Sequence, residues 1–274
     1  MSGSRYRAVK AYHNEKFLHS TDARPLRILA EYIEPATRFE EFDVQDTIVV
    51  FGSARILSRE KAEAALAEAE QGGEAEAITG ARQALDMSRY YEAARELSRR
   101  LTEWSKQLED PSGRRFVICS GGGPGVMEAA NRGASEARGE NVGLNISLPF
   151  EQNDNPYITR RLSFEFHYFF MRKFWFSYLA KAIVAMPGGF GTLDEFFEIL
   201  TLVQTGKIKK AMPIVLFGKS FWNRVLNFDV LIEHGTISPS DLDLFFTTDS
   251  VDDAFNHLVS VLEAKAIEHP GVGL

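Results

Sequence analysis

Lys181-Ala182-Ile183-Val184-Ala185-Met186-Pro187-Gly188-Gly189-Phe190-Gly191-Thr192-Leu193-Asp194-Glu195 holds, in fifteen consecutive positions, the alternation that decides the fold. Lys181 to Met186 is short, apolar and partly β-branched, the pattern of a strand buried on both faces. Pro187 to Gly191 breaks that pattern and reads as a loop, and from Thr192 to about Thr205 the spacing predicts a helix. A buried strand, a glycine loop and a helix in succession make up half of a βαβ unit.

The same succession recurs on either side. Upstream, Thr47 to Phe51 reads as a strand ending at Gly52-Ser53, and Arg115 to Cys119 as a second, followed by the loop Ser120 to Gly125 and a helix from Val126 to Arg138. Asn141 to Leu148 and Leu162 to Phe166 read as further strands, the second followed by an aromatic-rich helix from His167 to about Leu179. Downstream come a strand at Pro213 to Phe217, a helix at Phe221 to Glu233, a short strand at Leu244 to Thr247 and a helix at Val251 to Ala264. The expected architecture is α/β: a doubly wound, Rossmann-like parallel sheet with helices on both faces. Residues 1–46, with one helix from about Ala23 to Ile33, read as an N-terminal extension lying on a domain of residues 47–274. Positions 58–110, rich in Ala and Glu and interrupted by Gly72-Gly73, read as a helical insertion after the first strand: two helices, or a long broken one.

Composition narrows the functional classes. With 274 residues, 45% hydrophobic and 25% charged, the chain has the mix of a globular domain large enough to need no staple. A formal charge of −7 argues against a nucleic-acid or anionic-membrane surface, while leaving room for a local basic pocket. The lone Cys119 suits a reducing compartment. Met1 to Phe17 carries charges throughout, so no signal peptide is expected; nor is there an uncharged apolar run of about 18 residues to cross a membrane. The expected location is the cytoplasm. The six histidines show no H-E-x-x-H or paired spacing, so neither a metal site nor a cofactor is expected.

Both glycine loops fall at the carboxyl end of a predicted strand and just before a helix, where backbone can approach a phosphate and free N–H groups face it. The dinucleotide fingerprint G-x-G-x-x-G fails, because Gly121 and Gly123 are followed by Val126. Gly218-Lys219-Ser220 resembles the end of a P-loop, but Pro213 stands where its partner glycine belongs. Two such loops on one sheet point to a phosphorylated ligand.

Pro187 to Glu195 fits P-G-G-x-G-T-x-x-E in full. Met171-Arg172-Lys173 precedes it by one helix, and Gly121-Gly122-Gly123-Pro124-Gly125-Val126-Met127-Glu128 precedes that. This combination resembles the Lonely-guy family, nucleotide phosphoribohydrolases that include cytokinin-activating enzymes and have long carried a label as possible lysine decarboxylases. The resemblance covers roughly positions 47–217, apart from the insertion. It implies hydrolysis of the N-glycosidic bond of a nucleoside 5′-monophosphate, AMP or a cytokinin riboside monophosphate, to free base and ribose 5-phosphate.

The same resemblance implies roles for particular residues. Glu195 is the catalytic acid of the motif; by spacing alone, Thr192 and Glu195 also form a helix-capping box. Arg172 completes the catalytic pair; its apolar surroundings also fit a structural ion pair. Lys173 faces solvent or the phosphate. Gly188, Gly189, Gly191 and Thr192 hold the 5′-phosphate, and Ser53, Gly122, Gly123 and Met127 line the nucleotide. Glu151 and Thr201 match further contact positions. Glu128 is either part of the second loop's site or an early-helix acid favoured by the dipole. The aromatic excess of the helix from His167, with the family's habit, implies a homodimer or higher homo-oligomer. The rival reading is a non-catalytic nucleotide-binding or sensor protein of the same fold; the intact Arg172 and Glu195 favour the enzyme.

Overall fold

The computed structural model describes residues 8–108, 114–148, 155–267, 269 and 271. In chain order its elements are α1 (Glu15–Leu18), α2 (Arg24–Glu41), β1 (Thr47–Phe51), α3 (Arg59–Gly72), α4 (Ala75–Ser105), β2 (Val117–Ser120), α5 (Val126–Glu136), β3 (Asn141–Ile146), β4 (Ser163–Phe166), α6 (Phe169–Leu179), β5 (Ala180–Ala185), α7 (Phe190–Gln204), β6 (Ile214–Phe217), α8 (Lys219–Val225), α9 (Phe228–Glu233), β7 (Phe246–Thr248) and α10 (Val251–Lys265).

The strands form one seven-stranded parallel sheet in the order β4-β3-β2-β1-β5-β6-β7, as the doubly wound reading expects. The chain walks outward from β1 to β4, then crosses back to lay β5 on the other side of β1. Strand order therefore reverses between β1 and β5, where Val50 pairs with Val184 and Phe51 with Ala185. Connections at such a point leave in opposite directions and open a crevice beyond the carboxyl ends of the strands.

Alternation along each strand feeds two cores. From β1, Val49 and Phe51 point into a layer with Phe39 of α2, Trp175 and Phe176 of α6 and Phe196 of α7. Ile48 and Val50 point into the opposite layer, with Tyr91 and Leu97 of α4, Val126 of α5 and Leu258 of α10. Full burial of such a side chain stabilises by about 1.5–3 kcal/mol, which is why the central strands read as unbroken apolar runs. In the second layer α4 and α5 approach to backbone contact, since any Cβ on Gly133 would strike the main chain of Arg95.

The insertion takes one of its two expected forms, and two helices here differ from the expected bounds. The insertion takes the two-helix form: Ser58 caps α3 by accepting from Lys61 N, and Gly73 ends it at φ 72°, in the left-handed region. Helix α2 runs on to Glu41 instead of stopping near Ile33, with Pro35 inside it. The single helix expected over Phe221 to Glu233 is two, α8 and α9, because Asn227 accepts from Val230 N and starts a new helix. Among the described residues no helix is long and apolar enough to cross a membrane.

Candidate active site

Three loops meet above the reversal point and are tied together by main chain. Ser53, after β1, donates its N–H to Pro187 O at 3.0 Å, and its own carbonyl accepts from Val126 N at 3.1 Å. The loops after β1, β2 and β5 are thus one unit, with Ser53 at its centre. Its hydroxyl accepts from Arg55 N.

The loop after β2 is held by buried polar groups. Ser120 Oγ accepts from Gly122 N and donates to Asn131 Oδ1, and the Asn131 amide donates to Asn141 Oδ1 and Val142 O. Gly122 sits at φ 74° with the Asn145 side chain where a Cβ would be, so glycine is required there on both counts. Gly123 is buried in the same turn, and Met127 packs its sulfur over Gly121. Glu128, on α5, accepts from Tyr91 OH at 2.7 Å and lies 3.8 Å from Lys61 Nζ. The insertion thus reaches the helix that follows the second loop, which spacing could not reveal.

The loop after β5 opens α7 two residues earlier than expected. Gly189 is the N-cap, there is no side-chain cap, and the first N–H bond runs from Leu193 to Gly189 O. Thr192 lies inside the first turn, so the capping-box reading of Thr192 and Glu195 does not describe this helix. The amides of Phe190, Gly191 and Thr192 precede the hydrogen-bond ladder, at the positive end of the helix dipole. A Cβ on Gly188 would collide with Thr192, whereas one on Gly189 or Gly191 would meet no protein atom within 4 Å. Packing accounts for glycine at 188 and leaves 189 and 191 to another requirement.

Helices α6 and α7 bring the proposed pair together. Glu195 is 7% exposed, and its carboxyl is pushed up to about 7 by burial, against the opposing pull of Lys173 and Arg172. Arg172 donates through Nε to Leu144 O at 2.7 Å and through Nη2 to Gly121 O at 3.3 Å. Burial lowers its pKa while Glu195 acts in the opposite direction. The guanidinium is held by two main-chain carbonyls, one just after β2 and one within β3, with its charge felt by Glu195, and no ion pair of Arg172 within 4.0 Å occurs among the described residues. Lys173 faces neither solvent nor the loop alone. Its ammonium lies 2.5 Å from Glu198, 2.9 Å from Asp194 and 3.8 Å from Glu195. Those carboxylates hold its pKa up against burial.

Of the remaining expected contacts, one is not brought to this cluster and one is not described. Thr201 is exposed, its hydroxyl bonded to Phe197 O one turn back. Glu151 lies outside the described residues. The rim is aromatic: Phe169 and Phe170 at the start of α6 are 52% and 55% exposed, and Phe190 is 92% exposed.

A family model described as "Possible lysine decarboxylase" matches residues 127–258. The cytokinin riboside 5′-monophosphate phosphoribohydrolase LOG1 of Arabidopsis thaliana is 34% identical over 95 residues, 34% of this chain and 42% of that protein. The relative LOG5 of the same plant, which carries the same enzyme name, is 28% identical over 164 residues, 58% of this chain and 68% of its own. Among solved structures, the molybdenum cofactor binding protein of Rippkaea orientalis aligns with a TM-score of 0.48 at 14% identity, covering 80% of this chain and 99% of that one. The chain spans less than half the length of the first of these relatives. The sequence matches bear out the resemblance to the Lonely-guy family.

Proposed function

We propose that this chain hydrolyses the N-glycosidic bond of a nucleoside 5′-monophosphate, with AMP or a cytokinin riboside monophosphate as substrate, releasing free base and ribose 5-phosphate. The observation that carries this reading is the buried Glu195 carboxyl, within reach of the charges of Lys173 and Arg172, in the first turns after a glycine loop at the strand-order reversal. The amides of Phe190, Gly191 and Thr192 receive the 5′-phosphate, which explains glycine at 189 and 191 where no protein atom demands it. Water adds to C1′ as the bond to the base nitrogen breaks, and the base leaves with a proton. The sugar passes through an oxocarbenium-like state, as in O-glycoside cleavage. Ionised Glu195 stabilises that cation and holds the attacking water or the ribose hydroxyls, while Arg172 keeps the carboxyl ionised in part near neutrality.

The exposed Phe169, Phe170 and Phe190, beside this crevice, support a homodimer or higher homo-oligomer that covers the site. The lone, buried Cys119 supports a reducing, cytoplasmic setting. Incubation with AMP, GMP, CMP and isopentenyl-AMP, followed by chromatography for free base, tests the activity. Base release from at least one of them is expected; nucleotide binding without any base release would replace the hydrolase by the non-catalytic reading.

A further inference from the structure

Helix α6 carries Arg172, yet its own sequence does little to fix its ends. Its N-cap, Tyr168, provides no side-chain cap. An acceptor from α2, in the N-terminal extension, holds the chain entering the helix instead: the Glu31 carboxylate accepts from His167 N at 2.8 Å and Tyr168 N at 3.2 Å. The main chain of the same residue is engaged as well. Pro35 has no N–H to donate four residues back, so the Glu31 carbonyl is spared its helical partner and accepts instead from Trp175 Nε1 at 2.9 Å. One residue of α2 therefore grips α6 at its start and again almost two turns along. At the other end Lys210 Nζ donates to Ser177 O and Tyr178 O. Arg172 lies between these clamps, and its backbone N–H donates to the carbonyl of Tyr168, the residue whose amide Glu31 holds.

We propose that Glu31 is a positioning residue for Arg172: by fixing His167 and Tyr168 it sets the register of α6, so that the guanidinium reaches the carbonyls of Leu144 and Gly121. The N-terminal extension is then part of the catalytic apparatus. This inference rests on the hydrolase reading of Arg172 and Glu195. The phosphate loop belongs to α7 and is untouched by Glu31, so a displaced α6 affects turnover more than binding.

The test compares wild type with E31A, E31D and R38A. Arg38 ties α2 to the other side of its contact, donating to Ser163 O and lying over the Phe164 ring, without touching α6. E31A is expected to lower kcat on the best nucleotide about tenfold or more, with KM changed less than about twofold. E31D, which keeps a carboxylate, recovers part of that loss. R38A loses comparable thermal stability but keeps its kcat. Equal falls in kcat for E31A and R38A at matched loss of Tm, or an unchanged kcat in E31A, overturn the proposal. A readout independent of turnover is the titration of the Glu195 carboxyl by carbon-13 NMR, assigned with E195Q. Arg172 holds that carboxyl down, so E31A should titrate at higher pH than wild type. If the wild-type chain releases no base from any nucleotide, the hydrolase reading falls, and this titration alone decides the positioning claim; an unmoved midpoint refutes it.

Discussion

Replacing Glu195 by glutamine leaves the volume of the side chain and removes a charge that the fold holds at a cost. The carboxyl is 7% exposed, and burial lifts it from the ordinary value of 4.5 to about 7 even with Lys173 and Arg172 nearby. That difference corresponds to about 3 kcal/mol. Between pH 4.5 and 7 the unfolded chain has released this proton while the folded chain still holds it. Stability therefore falls as pH rises through that window, and the loss is complete above about 7. Glutamine resembles the protonated acid, so E195Q should match wild type near pH 4.5 and exceed it at pH 8 by up to about 3 kcal/mol, or roughly 5–8 °C in Tm. Over the same pH range kcat for base release should drop roughly 100-fold or more, the scale of a lost electrostatic stabiliser. Thermal melts at pH 4.5 and 8, with chromatographic rates at pH 7, measure both effects. Turnover near wild type refutes Glu195 as the charge-bearing group. Equal melting temperatures at pH 8 refute burial as the cause of its raised titration.

Four further outcomes are expected. Gly189→Ala should raise KM for the nucleotide with little change in Tm, because the added methyl meets no protein atom and obstructs only a phosphate; adenosine should be a far poorer substrate than AMP in the wild type. Arg172→Lys should lower kcat at least tenfold in steady-state assays, because an ammonium lacks the rigid fork that reaches Leu144 O and Gly121 O together. Light scattering at micromolar concentration should give at least twice 30.8 kDa, and Phe170→Asp should return the monomer; a monomer in the wild type removes the proposed assembly. Asp46→Ala should cost about 3–5 kcal/mol in urea unfolding, because it strips the buried Arg115 of its carboxylate at 2.7 Å and Phe116 N of its acceptor.

The sheet was legible because burial on both faces leaves an unmistakable mark: all seven strands lie within two or three residues of where their apolar runs stand. The glycine loops were legible through short-range spacing, and the partnership of α6 with α7 only through the family resemblance. What escaped was set by long-range contact. Helix α2 continues past Pro35 to Glu41, and an indole on another helix takes up the carbonyl that Pro35 leaves spare. Lys173 gives no local sign that three carboxylates of α7 await it. Glu31 sits in a polar stretch where one acid looks like any other. The split between α8 and α9 had a local signal, Asn227 as an N-cap three residues before Val230, which the apolar run around it obscured.

The central place of β1 has a consequence for how the molecule is made. Val49 pairs on one side with Cys119 and on the other with Ile183, so its partners are roughly 70 and 130 residues downstream. During synthesis the first strand to emerge waits longest to be flanked, and the helical hairpin α3–α4 lengthens that wait. Until then it offers two open edges of apolar backbone, a template for wrong pairing. The strand that closes the second edge, β5, is the one that delivers the glycine loop and Glu195. The flanking of β1 on both sides and assembly of the crevice are therefore a single late event, and a nascent chain halted before Ala185 has neither.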